Sequence, residues 1–163
     1  MSQKGGGTAR DDADEKVVAN NRAAFHEYFI LDHVEAGLEL LGTEVKSLRA
    51  GKANIKDGYV RIENGQAYLH NVDIQPWEGG NRQNHERLRS RRLLLHRSQI
   101  QELYGKTKEQ GLSIVPLRLY FLRGRAKVEV ALVKGKKTWD KRQAIAERDA
   151  NREMDRAIRR DVR

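Results

Sequence analysis

Alternating strand patterns, two tight hairpin turns and little helical periodicity in the body of the chain predict a mainly β fold. The expected form is a small antiparallel β-barrel with two or three short helices and a basic, helix-prone C-terminal tail. The plainest hairpin signal is Asn64-Gly65, because a type I′ turn needs positive φ at both central residues. A second hairpin turns at Arg123-Gly124, between runs whose apolar residues alternate.

In chain order, residues 1–19 read as a disordered leader, with Gly5-Gly6-Gly7 and the acids Asp11, Asp12, Asp14 and Glu15. From Glu27 to Leu41, Val34, Ala36, Leu38 and Leu40 fall on one side, and Glu35, Gly37 and Glu39 on the other. That is a half-buried strand, paired with Tyr28–Leu31 across a turn at Asp32-His33. A short helix follows over 42–51, with Thr43 as cap, Glu44 at its positive end and Gly51 as terminator. It places Lys46 and Arg49 together on one face. Asn64-Gly65 joins a strand over 59–62 to one over 67–74. Residues 75–81 break the pattern and open an arginine-rich loop, and Leu93-Leu94-Leu95 is a short strand or the lead into a helix. Ser98 and Gln101 have capping-box spacing before a helical face of Ile100, Leu103 and Tyr104, which extends through Lys106–Gln110 to Gly111. The last hairpin joins 112–122 to 125–133, with Pro116 marking an edge or a bulge. Uneven connections with inserted helices suit a partly open barrel of the OB type better than a sandwich.

The domain reading is therefore a leader (1–19), a barrel (20–133) and a tail (134–163) within a chain of 163 residues. A net charge of +9 and a pI near 9.9 point to an acidic partner, nucleic acid first. The charge is localised: 82–97 carries six arginines and one acid, and the tail carries 11 cations and six acids. The remainder is nearly neutral. The tail's apolar stripe, Ala146, Ala150, Met154 and Ala157/Ile158, is mostly alanine, so the tail favours helix but is expected to order on a polyanion. There is no cysteine, hence no disulfide framework. No apolar run reaches the ~20 residues of a membrane span, and a cytoplasmic protein without membrane partners is expected.

Little in the chain suggests chemistry. Histidines 26, 33, 70, 85 and 96 share no metal-ligand spacing, and no phosphate loop, dinucleotide fingerprint or nucleophile elbow is present. No catalytic or metal residue, cofactor or small-molecule substrate is expected, and the chain reads as a binding protein, not an enzyme. Arg87, Arg89, Arg91 and Arg92 alternate with small or apolar residues, as in a segment tracking phosphates. Trp139 lies among Lys136, Lys137, Lys141 and Arg142, a stacking surface framed by cations.

Several runs resemble one family. Glu27-Tyr28-Phe29-Ile30, Glu35-Ala36-Gly37, the run from Gly42 to Lys52, Arg91-Arg92-Leu93-Leu94-Leu95, and Gly135-Lys136-Lys137 with Asp140-Lys141-Arg142 are similar to the small protein B family, the SsrA-binding proteins of bacteria. The resemblance spans about Asn20 to Arg160, in order. It implies an OB-type barrel that binds the tRNA-like domain of transfer-messenger RNA (SsrA) and serves as an RNA-binding adaptor of trans-translation. The tail would enter the decoding centre of a stalled 70S ribosome, against 16S rRNA, and substitute for codon–anticodon pairing. The elongation factor carrying aminoacyl-tRNA would be an indirect partner. Carried over by position, His26, Glu35, Leu94, His96 and Lys127 fall at barrel contacts with the RNA, with Lys46 and Arg49 as additions from the helix face. Gly135, Lys136, Lys137, Trp139, Lys141 and Arg142 fall on the decoding-centre motif. The alternative is a structural ribosomal or translation-factor OB protein that binds rRNA permanently.

Overall fold

The computed structural model describes residues 15–80, 84–136 and 138–161. In chain order the elements are β1 (Glu15–Asn20), α1 (Arg22–Glu27), β2 (Tyr28–Leu38), α2 (Gly42–Arg49), β3 (Ala53–Asn54), β4 (Tyr59–Glu63) and β5 (Gln66–His70). They continue with β6 (Asp73–Ile74), β7 (Arg91–Leu94), α3 (Arg97–Gln110), β8 (Ser113–Leu122), β9 (Arg125–Gly135) and α4 (Thr138–Asp161). Six strands close a mainly β barrel in the order β8-β4-β5-β7-β2-β9, with β9 pairing back onto β8. Every pairing is antiparallel, and closure leaves the barrel few open edges. β1 adds to the outer half of β8, and β3 and β6 form a separate two-stranded ribbon.

The turns follow the local chemistry. Asn64 and Gly65 both take positive φ, 51° and 74°, and set the β4–β5 register from Tyr59↔His70 to Glu63↔Gln66. Arg123 and Gly124 do the same between β8 and β9. Pro116 marks a bulge: the register shifts between Pro116 and Arg118. The core is built from the alternate residues of these strands, including Ala36, Leu69, Leu93, Leu119 and Val130, with Leu48 of α2 and Ile100 and Leu103 of α3 packed into it. A smaller cluster under α1 joins Ala24 to Val115, Leu117, Ala131 and Val133.

Four local expectations are corrected. The leader ends earlier: 15–20 is β1, held by an ion pair from Glu15 to Arg118 and by Val18 and Ala19 against the core, while 1–14 lies outside the described residues. There is no turn at Asp32-His33: both residues pair with β9 inside one eleven-residue strand, β2, whose bulge lies just before them, between Ile30 and Asp32, and which follows β9 from Gly135 to Lys127. Helix starts also move. Leu41, not Thr43, is the N-cap of α2, its N–H donating to Glu44 Oε1 at 2.8 Å. His96 precedes α3, its N–H donating to Gln99 Oε1 at 3.0 Å in place of the Ser98/Gln101 box.

The third short helix is α1, which the sequence patterns leave unplaced. Its N-cap, Asn21, is buried; Oδ1 accepts from the Ala24 N–H at 3.3 Å and Nδ2 donates to the Pro116 carbonyl at 2.9 Å. β9 runs to Gly135, so the tail leaves the barrel two residues later than expected. The tail itself is helical as α4, next to α1, with Ile145, Met154 and Ile158 exposed. Among the described residues no helix is long and apolar enough to cross a membrane.

Candidate nucleic-acid interface

Strand alternation sorts β2 and β9 into two faces. Val34, Ala36 and Leu38 meet Val128, Val130 and Leu132 in the core, which leaves Glu35 and Gly37 outside, opposite Glu129 and Lys127. Two carboxylates directly opposite would repel. Each therefore has its own partner: Arg118 Nε donates to Glu129 Oε2 at 3.3 Å, and the buried Tyr120 hydroxyl donates to Glu35 Oε2.

Gly37 also faces Leu94 on β7. A Cβ at Gly37 would lie 3.1 Å from Leu94 Cβ, so the missing side chain lets Leu94 cross bare backbone while staying 51% exposed. His96 follows at the mouth of α3. Together Glu35, Leu94, His96, Gln99, Lys127 and Gln66 line a groove of about 450 Å³. Gly37, Leu94 and Lys127 also border an adjoining groove of about 310 Å³, walled by Phe121 and Arg125. The groove offers a carboxylate acceptor, an imidazole, an ammonium group and an exposed leucine. That set can take a base edge, a phosphate and the apolar flank of a nucleotide.

Four of the five barrel positions thus converge from β2, β7, the start of α3 and β9. The fifth, His26, does not. It sits half-buried in the last turn of α1, where the Lys136 N–H donates to the Glu27 carbonyl at 2.9 Å. That is the tail junction, at the far end of β2 from Glu35. Lys46 and Arg49 are exposed on α2, outside the main groove, although the Arg49 guanidinium stands 5.8 Å over the Phe121 ring of the adjoining one. Gly135 belongs to β9, paired with Tyr28, and Lys136 Nζ lies 5.1 Å over the Phe29 ring. Lys137 lies outside the described residues. Trp139 and Lys141 belong to α4, but the placement of their side chains lies outside what is described; Arg142 is exposed.

The arginine-rich segment needs the largest correction. Arg91 is fully buried, with Nε on Glu44 and its other nitrogens on the carbonyls of Val72 (2.8 Å) and Arg87 (3.1 Å). Arg89 joins the same carboxylate at 2.5 Å, Arg87 forks onto Asp73 at 2.9 and 2.8 Å, and Arg92 meets Glu39 at 2.8 Å. These four cations are matched by the chain's own acids, so they are not a bare phosphate track. Their partners lie well away in sequence, 14 residues for Arg87, 45 for Arg89 and 47 for Arg91, which is why spacing did not reveal them.

Glu44 is the hub of this network. Burial works against its ionisation, but hydrogen bonds from Arg89, the Leu41 N–H and Arg91 outweigh that and hold its carboxyl below the ordinary value. The network ties α2 to β7, the strand that carries Leu94. His85 is buried: Nε2 donates to the Ile74 carbonyl at 2.8 Å, which leaves Nδ1 to accept from the Thr43 hydroxyl at 2.8 Å. Gln66 and Gln99 were missed because they reach the groove by cross-strand packing and by a helix start, neither marked by a local motif.

The sequence matches the family model described as SmpB protein over residues 18–160. It is 61% identical over 145 residues to the SsrA-binding protein of Desulforudis audaxviator, covering 89% of this chain and 95% of that one. It is also 61% identical to the SsrA-binding protein of Moorella thermoacetica, covering 88% and 94% of the two chains. A chain of a solved structure described as "tmRNA-SmpB: a journey to the center of the bacterial ribosome" superposes with a TM-score of 0.63 and 46% identity, covering 78% of this chain and 93% of the other.

Proposed function

The chain belongs to the SmpB protein family, and from that premise we propose that it is an RNA-binding adaptor of trans-translation. It binds the tRNA-like domain of transfer-messenger RNA and brings it to stalled ribosomes. The observation that carries this reading is the convergence of Glu35, Leu94, His96 and Lys127 on one groove from four separate segments. In the proposed complex Lys127 meets a phosphate, Leu94 packs against an unstacked nucleotide, and Glu35, oriented by Tyr120, accepts from a base amino group. Phosphates position the RNA, and the carboxylate and imidazole select the nucleotide.

His26 and Lys136 then serve a second contact at the tail junction, and Arg49, stacked on Phe121, flanks the adjoining groove with Lys46 on the same helix. The tail carries Lys137, Trp139, Lys141 and Arg142 into the decoding centre, where it substitutes for codon–anticodon pairing and its helix gains a surface to pack on. The protein works in the cytoplasm without catalysis or cofactor, with the elongation factor that carries aminoacyl-tRNA as an indirect partner.

The test is binding to the isolated tRNA-like domain. Glu35→Ala with His96→Ala should weaken affinity at least about tenfold, the combined loss of two contacts worth ~1 kcal/mol or more each, while the thermal melt stays near that of the parent. Unchanged affinity in the double variant would place the RNA elsewhere on the barrel. A permanent ribosomal protein, the competing reading, would sediment with every ribosome instead of mainly with stalled ones.

A further inference from the structure

The outward face of β4 and β5 carries aromatic groups that the first groove does not use. Tyr59 and Arg61 flank the core residue Val60 on β4, opposite His70 and Tyr68 on β5. The Tyr59 and His70 rings stack with centroids 5.3 Å apart and planes 20° off parallel, and the Arg61 guanidinium lies 5.8 Å from the Tyr59 centroid. Facing them across a groove of about 390 Å³, α3 presents Tyr104, Thr107 and Lys108. Lys108 Nζ lies 4.9 Å from the Tyr104 ring.

One exposed tyrosine is ordinary. Here two tyrosines, 40% and 42% exposed, share one groove. Each has a cation over its ring, and no carboxylate lines the groove. By contrast, Glu35 lines the first groove, and Glu27 and Asp57 line the one beside α1. Rings that stack on bases beside cations that meet phosphates are the common means of holding an unpaired strand.

We propose that the groove between β4 and α3 binds an unpaired segment of RNA, with Tyr59 and Tyr104 stacking on bases and Arg61 and Lys108 contacting phosphates. The choice of RNA among polyanions rests on the adaptor reading above; the stacking chemistry rests on the groove alone. α3 runs from His96 at the first groove to Lys108 at this one, about 18 Å along the helix axis. The two sites can therefore be disabled separately.

The experiment uses the full chain and two probes: a labelled oligouridylate of about ten nucleotides, which has no stable paired structure, and the tRNA-like domain. Tyr59→Ala with Tyr104→Ala should weaken oligouridylate binding about tenfold or more, given the usual worth of a base–aromatic stack, and leave the tRNA-like domain within about twofold. The Tyr→Phe pair should bind both probes like the parent, because the ring is kept. Glu35→Ala with His96→Ala should show the reverse pattern. Oligouridylate binding unchanged in the alanine pair would overturn the proposal. Should that variant fail to fold, amide shifts of the parent with oligouridylate decide. Changes at Tyr59, Arg61, Tyr104 and Lys108 support the site, and changes confined to the tail or the first groove refute it. Failure of the parent to bind the tRNA-like domain would sink the adaptor reading while leaving the oligouridylate result standing.

Discussion

Two residues determine the groove's shape and its support: Gly37, within its lining, and Glu44, beneath β7. Gly37 is small because Leu94 occupies the space a Cβ would need, so Gly37→Ala must push Leu94 by a few tenths of an ångström or more. We expect this variant to fold with a near-parent melt and bind the tRNA-like domain several-fold more weakly; parent-like affinity would show that the position of Leu94 does not matter. Glu44 is different, because its loss strands the buried Arg91. Glu44→Gln should cost about 3–5 kcal/mol in urea unfolding, the usual penalty for breaking a buried pair. Arg89→Ala, at a site one-third exposed, should cost much less. The pH dependence has a definite sign. The folded pKa of Glu44 lies below its ordinary 4.5, so its stabilisation is complete above that value and disappears as pH falls through the folded value. Asp73, held below its ordinary value of 3.8 chiefly by the hydrogen bond from Arg87, adds in the same direction. Stability should therefore drop on acidification below about pH 4.5, and Glu44→Gln should flatten that limb.

At the level of elements, α4 has the clearest consequence. It is the longest helix, yet Ile145, Met154 and Ile158 remain exposed and its packing partner is the six-residue α1. A helix whose described apolar side chains stay exposed is marginal in water. Amide shifts of the free protein should report partial helicity in 138–161, rising when ribosomes are added; full protection in the free protein would contradict this. Because β9 ends at Gly135 and pairs there with Tyr28, a truncation that spares the barrel must fall after Gly135, not after Val133. The protein cut after Gly135 should bind the tRNA-like domain with modest loss but fail to support peptide tagging on stalled ribosomes. Normal tagging would remove the decoding role from the tail.

Across the whole molecule the charge is less evenly available than the total of +9 suggests. Arg87, Arg89, Arg91 and Arg92 are committed to Asp73, Glu44 and Glu39, so they stiffen the barrel more than they attract RNA. The electrostatic reach of the protein then falls to the tail and to scattered cations such as Lys127. Log affinity for the tRNA-like domain should fall with log salt by roughly 0.7–0.9 per phosphate neutralised. Truncation after Gly135 should make that slope shallower if the tail adds phosphate contacts, and Arg87→Gln should leave it unchanged. A slope that drops with Arg87→Gln would restore the arginine segment as an RNA contact.

The sequence by itself determined the strands and turns whose signals are local. Asn64-Gly65 and Arg123-Gly124 lie in the left-handed region, the alternation in β2 and β9 sorts core from surface, and Gly111, at φ 61°, ends α3. The resemblance carried by the run from Gly42 to Lys52 and its companions was legible there as well. What only the tertiary structure decided depends on residues distant in the chain. Closure of the barrel by β4, β8 and β9, the docking of β1 on β8, and the continuation of β2 through Asp32-His33 all follow from which strands lie side by side. The same holds for the site. Glu35, Leu94, His96 and Lys127 meet because antiparallel pairing brings β2 between β7 and β9, while Arg91 turns inward because Glu44, far from it in sequence, supplies the charge that makes its burial tolerable.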